Sequence, residues 1–574
     1  MRRAGAERAV SAHRAIVPAL ARPSSVSAWQ ITRSEATARG GMVVADRERA
    51  ALAGLDILGE GGNAVDAAVC AAFVMGVVEP VTSGIGGVAC MVIRTKDGHL
   101  TVVDGSTTAP AAARPDMFEV LDTGERLGMY GWPATRDNAN NVGFRSLGVP
   151  GMVACLLDAL DRYGTLPRAR VMAPAIALAR DGFDVDWYLG LALGTYADRL
   201  WAYPETKKTF YRPSGAPLRV ATGFEPADRL VQADLARSLE LIARDGSEAF
   251  YAGPLAAAIC ADVAANGGVL TREEFASYRS RELPPLRSTY RGHDLATVPG
   301  PSGAVTALEV LNIVEASDLG RPDSAQERHL VLEASRRAFI DRFAHLADVP
   351  GAPFDRLASK EHARERSRSI DTSRATPEIA AGVVPPPAGD CTTHLCVVDR
   401  DGGMVALTST LGQGFGSGVV VRGTGIVMAD VMTWFDPRPG TLNSPAPGKR
   451  ILWAPSPMLL LDGGRPFLAV GAPGGRRIMS AVPQVVMNIV DHGMGPQAAV
   501  ARPRVHSEGR PSILDTRIDD AVLGELREMG HELELREETF FSSHFARPSA
   551  IVVDGTGKMR AGANPLKPAL AAGL

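Results

Sequence analysis

The sequence is poor in the features that mark several protein classes. Its 574 residues include only six cysteines, with no CxxC pair and no Cys/His grouping at zinc spacing. Four of these cysteines lie in apolar runs typical of buried thiols, so we expect neither a disulfide framework nor a metal site. The net charge is −3, without the basic excess of nucleic-acid-binding proteins. We therefore expect no nucleic-acid partner.

Long hydrophobic runs are also absent. The longest, residues 64–78, contains Asp66 and is shorter than the ~20 residues that a membrane span needs, so it predicts a buried helix. Residues 1–38 are rich in Arg and Ala without a hydrophobic period, which is typical of a disordered leader. Their apolar stretch, residues 16–20, is too short for an export signal. We expect no membrane span, and the lack of a clear signal favours the cytoplasm.

What the sequence does contain is a large apolar core and a change of pattern along the chain. Hydrophobic residues make up 45% and charged residues 22%, as in globular proteins. From about Met152 to Phe343 the pattern is mainly helical, and a hairpin signal precedes this region at Asp97-Gly98. Residues 361–391 are charged and then proline-rich, which predicts a flexible linker. A strand-rich part, residues 392–574, follows it.

The first residue of that second part lies opposite a second hydroxyl. The turn near Asp401 joins two β-branched runs and pairs residues whose numbers add up to about 802, which sets Thr392 opposite Thr410. Directly opposite residues in a hairpin have Cβ atoms ~5 Å apart, so their hydroxyls can form a hydrogen bond. Threonine is also a common strand residue without any catalytic role, so the pairing alone does not decide the function.

A chemical scheme gives this arrangement a purpose. A threonine hydroxyl needs a base, and a free α-amine on the same residue, with a pKa of about 7.7–8.0, can serve. Attack of the Thr392 hydroxyl on the carbonyl of Cys391 would cut the chain and free that amine. Downstream, Gly474-Gly475 follows a predicted strand, and its amides could form an oxyanion hole, although a simple glycine turn fits as well. The scheme needs no metal and no cofactor.

These motifs resemble the gamma-glutamyltranspeptidase family. The resemblance is carried by Thr392-Thr393-His394, Thr410 and Pro473-Gly474-Gly475, and upstream by segments 61–68, 84–87 and 148–151. It implies an α+β fold of the N-terminal nucleophile hydrolase type, a four-layer αββα sandwich. It also implies a precursor cut between Cys391 and Thr392 into a large subunit (39–391) and a small subunit (392–574), which remain together as a heterodimer. Thr392 would be the nucleophile, Thr410 would orient it, and Gly474 and Gly475 would stabilise the oxyanion.

The sequence departs from the family where gamma-glutamyl enzymes hold the amino-acid head group. By resemblance, those enzymes use an Arg, an Asn, a Gln, an Asp and two serines. This chain has, in the same order, Ser106, Gly412, Val431, Trp434, Trp453 and Ala454. A charged head group that leaves water without charge-assisted partners is penalised by several kcal/mol. Unless Arg438, Arg476 or Arg477 replaces the lost charge, the acyl group is more apolar or planar than glutamyl.

The favoured hypothesis is therefore a self-processed, gamma-glutamyltransferase-like amidohydrolase or acyltransferase that acts on a small-molecule amide. It resembles the acylase and amidohydrolase branches of the family. One alternative is a true gamma-glutamyltransferase or glutathione hydrolase with rearranged contacts. A second alternative is a non-catalytic family member that serves as a binding module. His394 and His506 have no role in the scheme and are predicted to be structural.

Overall fold

The computed structural model of the protein describes residues 31–379, 391–542 and 544–574, with the backbone alone of Cys391. The strands are β1 Ala36–Ala38, β2 Gly41–Ala45, β3 Val88–Arg94, β4 Leu100–Gly105, β5 Arg126–Leu127, β6 Trp132–Pro133, β7 Phe183–Asp184, β8 Arg229–Leu230, β9 Arg281–Leu283, β10 Leu286–Tyr290, β11 His293–Thr297, β12 Cys391–Asp399, β13 Met404–Gly412, β14 Met458–Asp462, β15 Arg465–Gly471, β16 Val505–His506, β17 Ser512–Asp515, β18 Leu533–Arg536, β19 Ser549–Val553, β20 Met559–Gly562 and β21 Leu570–Gly573.

The helices are α1 Glu48–Gly59, α2 Ala64–Val78, α3 Met152–Tyr163, α4 Arg168–Asp181, α5 Trp187–Thr195, α6 Ala197–Leu200, α7 Pro204–Phe210, α8 Ala233–Asp245, α9 Ser247–Tyr251, α10 Pro254–Ala265, α11 Arg272–Ser277, α12 Gly303–Glu315, α13 Ala325–His345, α14 Phe354–Leu357, α15 Lys360–Arg368, α16 Ile478–Val490, α17 Pro496–Ala501 and α18 Asp520–Glu528. Short 3₁₀ turns occur at Arg136–Asn138, Phe144–Ser146, Val431–Trp434 and Gly475–Arg477.

Two seven-stranded antiparallel sheets form the centre of the fold. One has the order β1-β20-β19-β15-β14-β11-β10 and the other the order β21-β2-β12-β13-β3-β4-β9. They face each other through contacts of β12 and β13 with β15. Helices α1, α2 and α3 cover the sheet that contains β12, and α12, α16 and α17 cover the other. The expected four-layer αββα sandwich is thus confirmed.

The central strands are apolar on both faces because each sheet is covered on both sides. Every residue of β3 and β13 is buried, as is every residue of α2. The first turn of α2 is fixed by a capping box in which Asn63 Oδ1 accepts from the Asp66 N–H at 3.0 Å and Asp66 Oδ2 accepts from the Asn63 N–H at 2.9 Å. The predicted helix after Asn63 and the hairpin around Asp97-Gly98 are both confirmed.

The predicted disordered leader, residues 1–38, extends too far along the chain. Residues 1–30 lie outside the described part of the chain, but β1 at Ala36–Ala38 pairs antiparallel with β20. The segment is too short to show a period by itself, and it becomes a strand because β20 offers it a partner edge. Similarly, β9, β10 and β11 interrupt the region that was predicted to be mainly helical.

The predicted flexible linker is wrong over its first part. Residues Lys360–Arg368 form α15, anchored where Arg366 Nε donates to Asp341 Oδ2 at 2.7 Å. The following turn is held by Arg337, whose Nε donates to Ser369 Oγ at 2.8 Å. The many charged residues of this segment predicted an exposed, flexible chain. In the structure, the segment instead forms hydrogen bonds and ion pairs with residues of α13. Residues 380–390 of the predicted linker lie outside the described residues.

One segment, Ser247–Ala265, is long and apolar enough to be considered as a membrane span, and 44% of it is buried in the fold. It consists of α9 and α10, which are separated by Gly253. Pro254 begins the second helix, since a proline is tolerated in a first helical turn but interrupts a continuous helix. We do not assign a membrane span to this segment.

Candidate active site

The hairpin of β12 and β13 brings the two predicted hydroxyls together. His394 pairs with Thr408 and Thr393 with Ser409, so the register predicted from the sequence is confirmed. A bulge between Cys391 and Thr393 then shifts the pairing, and Cys391 lies opposite Gly412. Thr392 Oγ1 donates to Thr410 Oγ1 at 3.3 Å. The hydroxyl of Thr410 also accepts from the Gly412 N–H at 2.9 Å.

A narrow cavity adjoins these hydroxyls. Its free volume is about 10 Å³, roughly the space of one water molecule. Thr392 and Thr410 are only 5% and 4% exposed, so a substrate reaches them only if the lining side chains move. The cavity is lined by Met129, Tyr130, Thr392, Thr408, Thr410, Trp434, Trp453, Ala454, Pro455, Gly475 and Ile478.

The glycine pair lies between β15 and α16, next to this cavity. Gly474 has φ +137° and Gly475 has φ +50°, in the region that favours glycine. A Cβ on Gly474 would come within 2.6 Å of Ala546, so the close approach of two backbones also requires a glycine there. Gly475 lines the cavity together with Thr392, whereas Gly474, the preceding residue, is not part of the lining. The pair is therefore placed at the start of a helix, beside the predicted nucleophile.

Three of the six predicted substrate-binding residues line the cavity, and the other three do not. Trp434, Trp453 and Ala454 line the cavity with Thr392. Val431 lies on the same 3₁₀ turn as Trp434 but faces Gly148, where an added Cβ would come within 2.7 Å of it. Ser106 is held elsewhere, with its Oγ donating to Asp104 Oδ2 at 3.0 Å and accepting from Arg450 Nη1 at 3.3 Å.

The remaining predicted residue, Gly412, does not line the cavity, but its backbone N–H donates to the Thr410 hydroxyl. Among the described residues that line the cavity there is no charged side chain.

Two of the arginines considered as replacements for the lost charge already have carboxylate partners. Arg438 Nη2 lies 2.6 Å from Asp436 Oδ2, and Arg476 Nε lies 2.9 Å from Glu508 Oε1. Arg476 is 2% exposed and stacks over Tyr130, which lines the cavity. The charge of Arg476 is thus paired with Glu508, and Arg476 does not line the cavity.

The two histidines are placed in the core. His394 Nδ1 is 2.9 Å from Thr408 Oγ1, and burial lowers the pKa of this imidazole to about 3, so it is neutral at ordinary pH. His506 Nδ1 is 2.8 Å from Ser480 Oγ, and burial lowers its pKa as well. These contacts are those of packed, hydrogen-bonded residues.

A buried charge network under the nucleophile's strand was not foreseen. Thr393 Oγ1 donates to Asp46 Oδ2 at 3.3 Å, and Lys567 Nζ donates to Glu79 Oε1 at 2.9 Å. All four side chains are at most 2% exposed. Burial raises the pKa of Asp46 to about 6. The residues are far apart in sequence, so no spacing rule could reveal them.

A second buried carboxylate, Asp430, was also missed. A Cβ on Gly412 would lie 1.8 Å from Asp430 Oδ1, so this carboxylate fills the space where a side chain of residue 412 would begin. Asp430 Oδ1 accepts from the Gln413 N–H at 3.0 Å, and Oδ2 accepts from Gln413 Nε2 at 2.7 Å. Burial raises the pKa of Asp430 to about 7. The sign of this arrangement in the sequence is Gly412, a glycine at the position where the family has an asparagine.

Comparison with known proteins places this site in a family. The gamma-glutamyltranspeptidase family profile matches residues 50–574. The chain is 38% identical to the acylase ACY 1 proenzyme of Pseudomonas sp. (strain SE83), over 88% of this chain and 90% of that protein. It is 36% identical to the glutathione hydrolase proenzyme of Escherichia coli (strain K12), over 87% of each chain.

Among solved structures, cephalosporin acylase from Bacillus halodurans superposes with a TM-score of 0.85 at 30% identity, covering 97% of this chain and 99% of that one. The expectation of a self-processing amidohydrolase is confirmed at the level of the family, and neither a binding module nor a true glutathione hydrolase is favoured over it. The chain belongs to the gamma-glutamyltranspeptidase family.

Proposed function

We propose that the protein is cut between Cys391 and Thr392 and then hydrolyses a small-molecule amide through an acyl ester on Thr392. The observation that carries this proposal is the 3.3 Å contact of Thr392 Oγ1 with Thr410 Oγ1, beside Gly475 in a cavity with tryptophan walls. The hydroxyl of Thr410 lies within reach to orient the nucleophile. The large and small subunits would then stay together as a heterodimer.

In the processing step, Thr392 Oγ1 attacks the carbonyl carbon of Cys391. As the C–O bond forms, the C–N bond breaks and the hydroxyl proton passes to the departing nitrogen, so the resulting ester joins the two parts of the chain through the Thr392 oxygen and the Thr392 amine is free. Water then opens the ester, which leaves a carboxylate on Cys391 and a free amine on Thr392. Cleavage of the C–N bond thus creates the base, because the amide nitrogen of the uncut chain cannot serve as one, and hydrolysis of the ester restores the Thr392 hydroxyl beside it.

In the catalytic step, the amine of Thr392 takes the proton of Oγ1 as the oxygen attacks the substrate amide. The amides of Gly474 and Gly475 donate to the oxyanion, and the proton passes to the leaving amine. Water, activated by the same α-amine, then hydrolyses the acyl ester. Trp434 and Trp453 present apolar, planar walls to the acyl group, which favours an acyl group other than glutamyl.

The test compares Thr392→Ala with Thr392→Ser, which differ in the hydroxyl. We expect the alanine variant to remain one uncut chain of about the 60.5 kDa of the precursor, and the serine variant to be cut. Intact-mass analysis should show cleavage before residue 392 and an acyl adduct on the small subunit. A two-subunit product from Thr392→Ala would refute the assignment.

The acyl group is tested with p-nitroanilides of gamma-glutamate, butanoate and phenylacetate. The tryptophan-lined cavity predicts a higher kcat/KM for an uncharged acyl group than for gamma-glutamyl, by about tenfold or more, the factor for one unpaired polar group. Turnover that is fastest with gamma-glutamyl would instead favour a glutathione hydrolase.

A further inference from the structure

The buried carboxylate of Asp430 lies on the same side of the sheet as the two catalytic hydroxyls. Thr410 and Gly412 are two residues apart on β13, so their side-chain directions share a face. The Asp430 oxygen occupies the Cβ direction of Gly412. Across the hairpin, Gly412 is the Cα partner of Cys391, the residue whose carbonyl is joined to Thr392. The carboxylate thus lies one residue from the bond that we propose is cut.

Asp430 is held in place by Gln413, and no ion pair joins it to another described residue. Both of its oxygens accept from Gln413, once from the backbone and once from the side-chain amide. The charged group that faces it from another described element is Arg199 of α6. No ion pair joins Arg199 to Asp430 among the described residues, and two guanidinium nitrogens of Arg199, Nε and Nη2, are buried without a hydrogen-bond partner there.

A buried carboxylate without a cationic partner is costly, and chain cleavage supplies such a partner. Before cleavage, the nitrogen of Thr392 is an uncharged amide. After cleavage it is an amine that binds a proton to become an ammonium group. A carboxylate within a few ångströms favours the charged form of an amine. Residue 412 has no side chain, so Asp430 Oδ1 comes up to the backbone that pairs with Cys391.

We propose that Asp430 is a positioning residue that takes over the place of a side chain at 412 and sets the protonation of the Thr392 amine. This inference rests on the proposed function, because the amine exists only if the chain is cut before Thr392. The carboxylate raises the amine pKa above the value that burial alone would give. Together with Gln413, it also fixes the chain where it leaves β13 after Gly412, two residues beyond Thr410.

The expected signature is a shift in pH dependence. The amine acts as a base only when it is unprotonated, so its pKa sets the acid limb of activity. In Asp430→Asn the negative charge is lost, the amine pKa falls, and the acid limb should move to lower pH by about one unit, the lower end of the range for a nearby charge. A residue that merely fills space would lower activity at every pH and leave the limb in place.

The experiment measures the amine itself as well as activity. The pH dependence of acetylation of the small subunit's N-terminus, followed by intact mass, gives the amine pKa without any substrate. The pH profile of kcat/KM, measured with the p-nitroanilide that is hydrolysed fastest, gives the pKa of the acid limb for comparison. Asp436→Asn is the matched control, because Asp436 is also buried and lies six residues further along the chain but pairs with Arg438. Neither the labelling curve nor the acid limb should move in that control.

A second variant covers the case in which Asp430→Asn does not fold. Gln413→Leu removes the donor to Oδ2, favours protonated Asp430 and should shift the amine pKa in the same direction by a smaller amount. An unchanged amine pKa in both variants, or in whichever one folds, would overturn the inference while Thr392 stays the nucleophile. A wild-type chain that is never cut would refute the proposed function and this inference together. If Thr392→Ala remains uncut and Asp430→Asn lowers the pKa of the Thr392 amine, the proposed function and this inference are both supported.

Discussion

Restoring the family's asparagine at position 412 tests the placement of Asp430 most directly. In Gly412→Asn, the new Cβ would lie 1.8 Å from Asp430 Oδ1, so the carboxylate must leave its site. Displacing it breaks both hydrogen bonds to Gln413, each worth about 1.5–3 kcal/mol because the acceptor is ionisable. The φ of +99° at Gly412 adds about 1–3 kcal/mol for a residue with a side chain. The sum is about 4–9 kcal/mol.

That loss is comparable to the ~5–15 kcal/mol that stabilises a typical protein. We therefore expect Gly412→Asn to give little soluble or self-cleaved protein, measured as the cleaved fraction on a denaturing gel and the apparent Tm. Gly440→Asn is the matched control, since Gly440 also has a positive φ, +79°, but has open space around it. That variant should lose only the conformational part, about 1–3 kcal/mol.

The double variant Gly412→Asn/Asp430→Ala removes the obstacle and should recover more cleavage and a higher Tm than Gly412→Asn alone. Because the two residues touch, their effects should not be additive, by about 2 kcal/mol or more. The reasoning is refuted if Gly412→Asn folds and is cut like Gly440→Asn. It is equally refuted if replacing Asp430 brings no recovery.

Three further changes probe other parts of the site. Thr410→Val should lower both the rate of self-cleavage and kcat/KM by about tenfold, the value of one hydrogen bond to the nucleophile, whereas Thr410→Ser should retain most of both. Lys567→Met removes the nearer of the two cations that pair with buried Glu79, the other being Arg47 at 3.6 Å, and should cost about 3 kcal/mol in thermal or urea unfolding, whereas the exposed Lys208→Met should change stability by less than ~0.5 kcal/mol. Gly474→Ala would bring a Cβ to 2.6 Å from Ala546 and should reduce kcat far more than KM if the amides of this turn stabilise an oxyanion, so equal effects on both would contradict that role.

The sequence predicted those parts of the site that depend on local order. The turn at residues 399–403 sets the register of β12 and β13, and this register places Thr392 against Thr410. The glycine pair was also recognisable, because a strand, two glycines and a helix follow each other directly. Residues close in sequence obey short-range rules, and the family resemblance linked these two motifs into one site.

The groups that surround the site could not be predicted in the same way. Asp430 reaches Gly412 from a loop 18 residues downstream, and Lys567 meets Glu79 from the opposite end of the chain. Such contacts depend on how the layers pack, which the hydrophobic pattern of each segment does not specify. The same reason explains the error at residues 360–368, where charges that indicated a flexible linker find their partners on α13.

The arrangement of the strands explains how a chain cut before Thr392 would stay assembled. In the sheet that carries the nucleophile, β12 pairs with β2 on one side and β13 pairs with β3 on the other, and β2 also pairs with β21. In the second sheet, β1 pairs with β20 and β11 with β14. Each of these pairs joins a strand that precedes the cut to one that follows it. Separation of the two subunits would therefore break both sheets and expose their apolar faces to water. The cut can thus free the amine of Thr392 while the interleaved sheets keep that residue against Thr410.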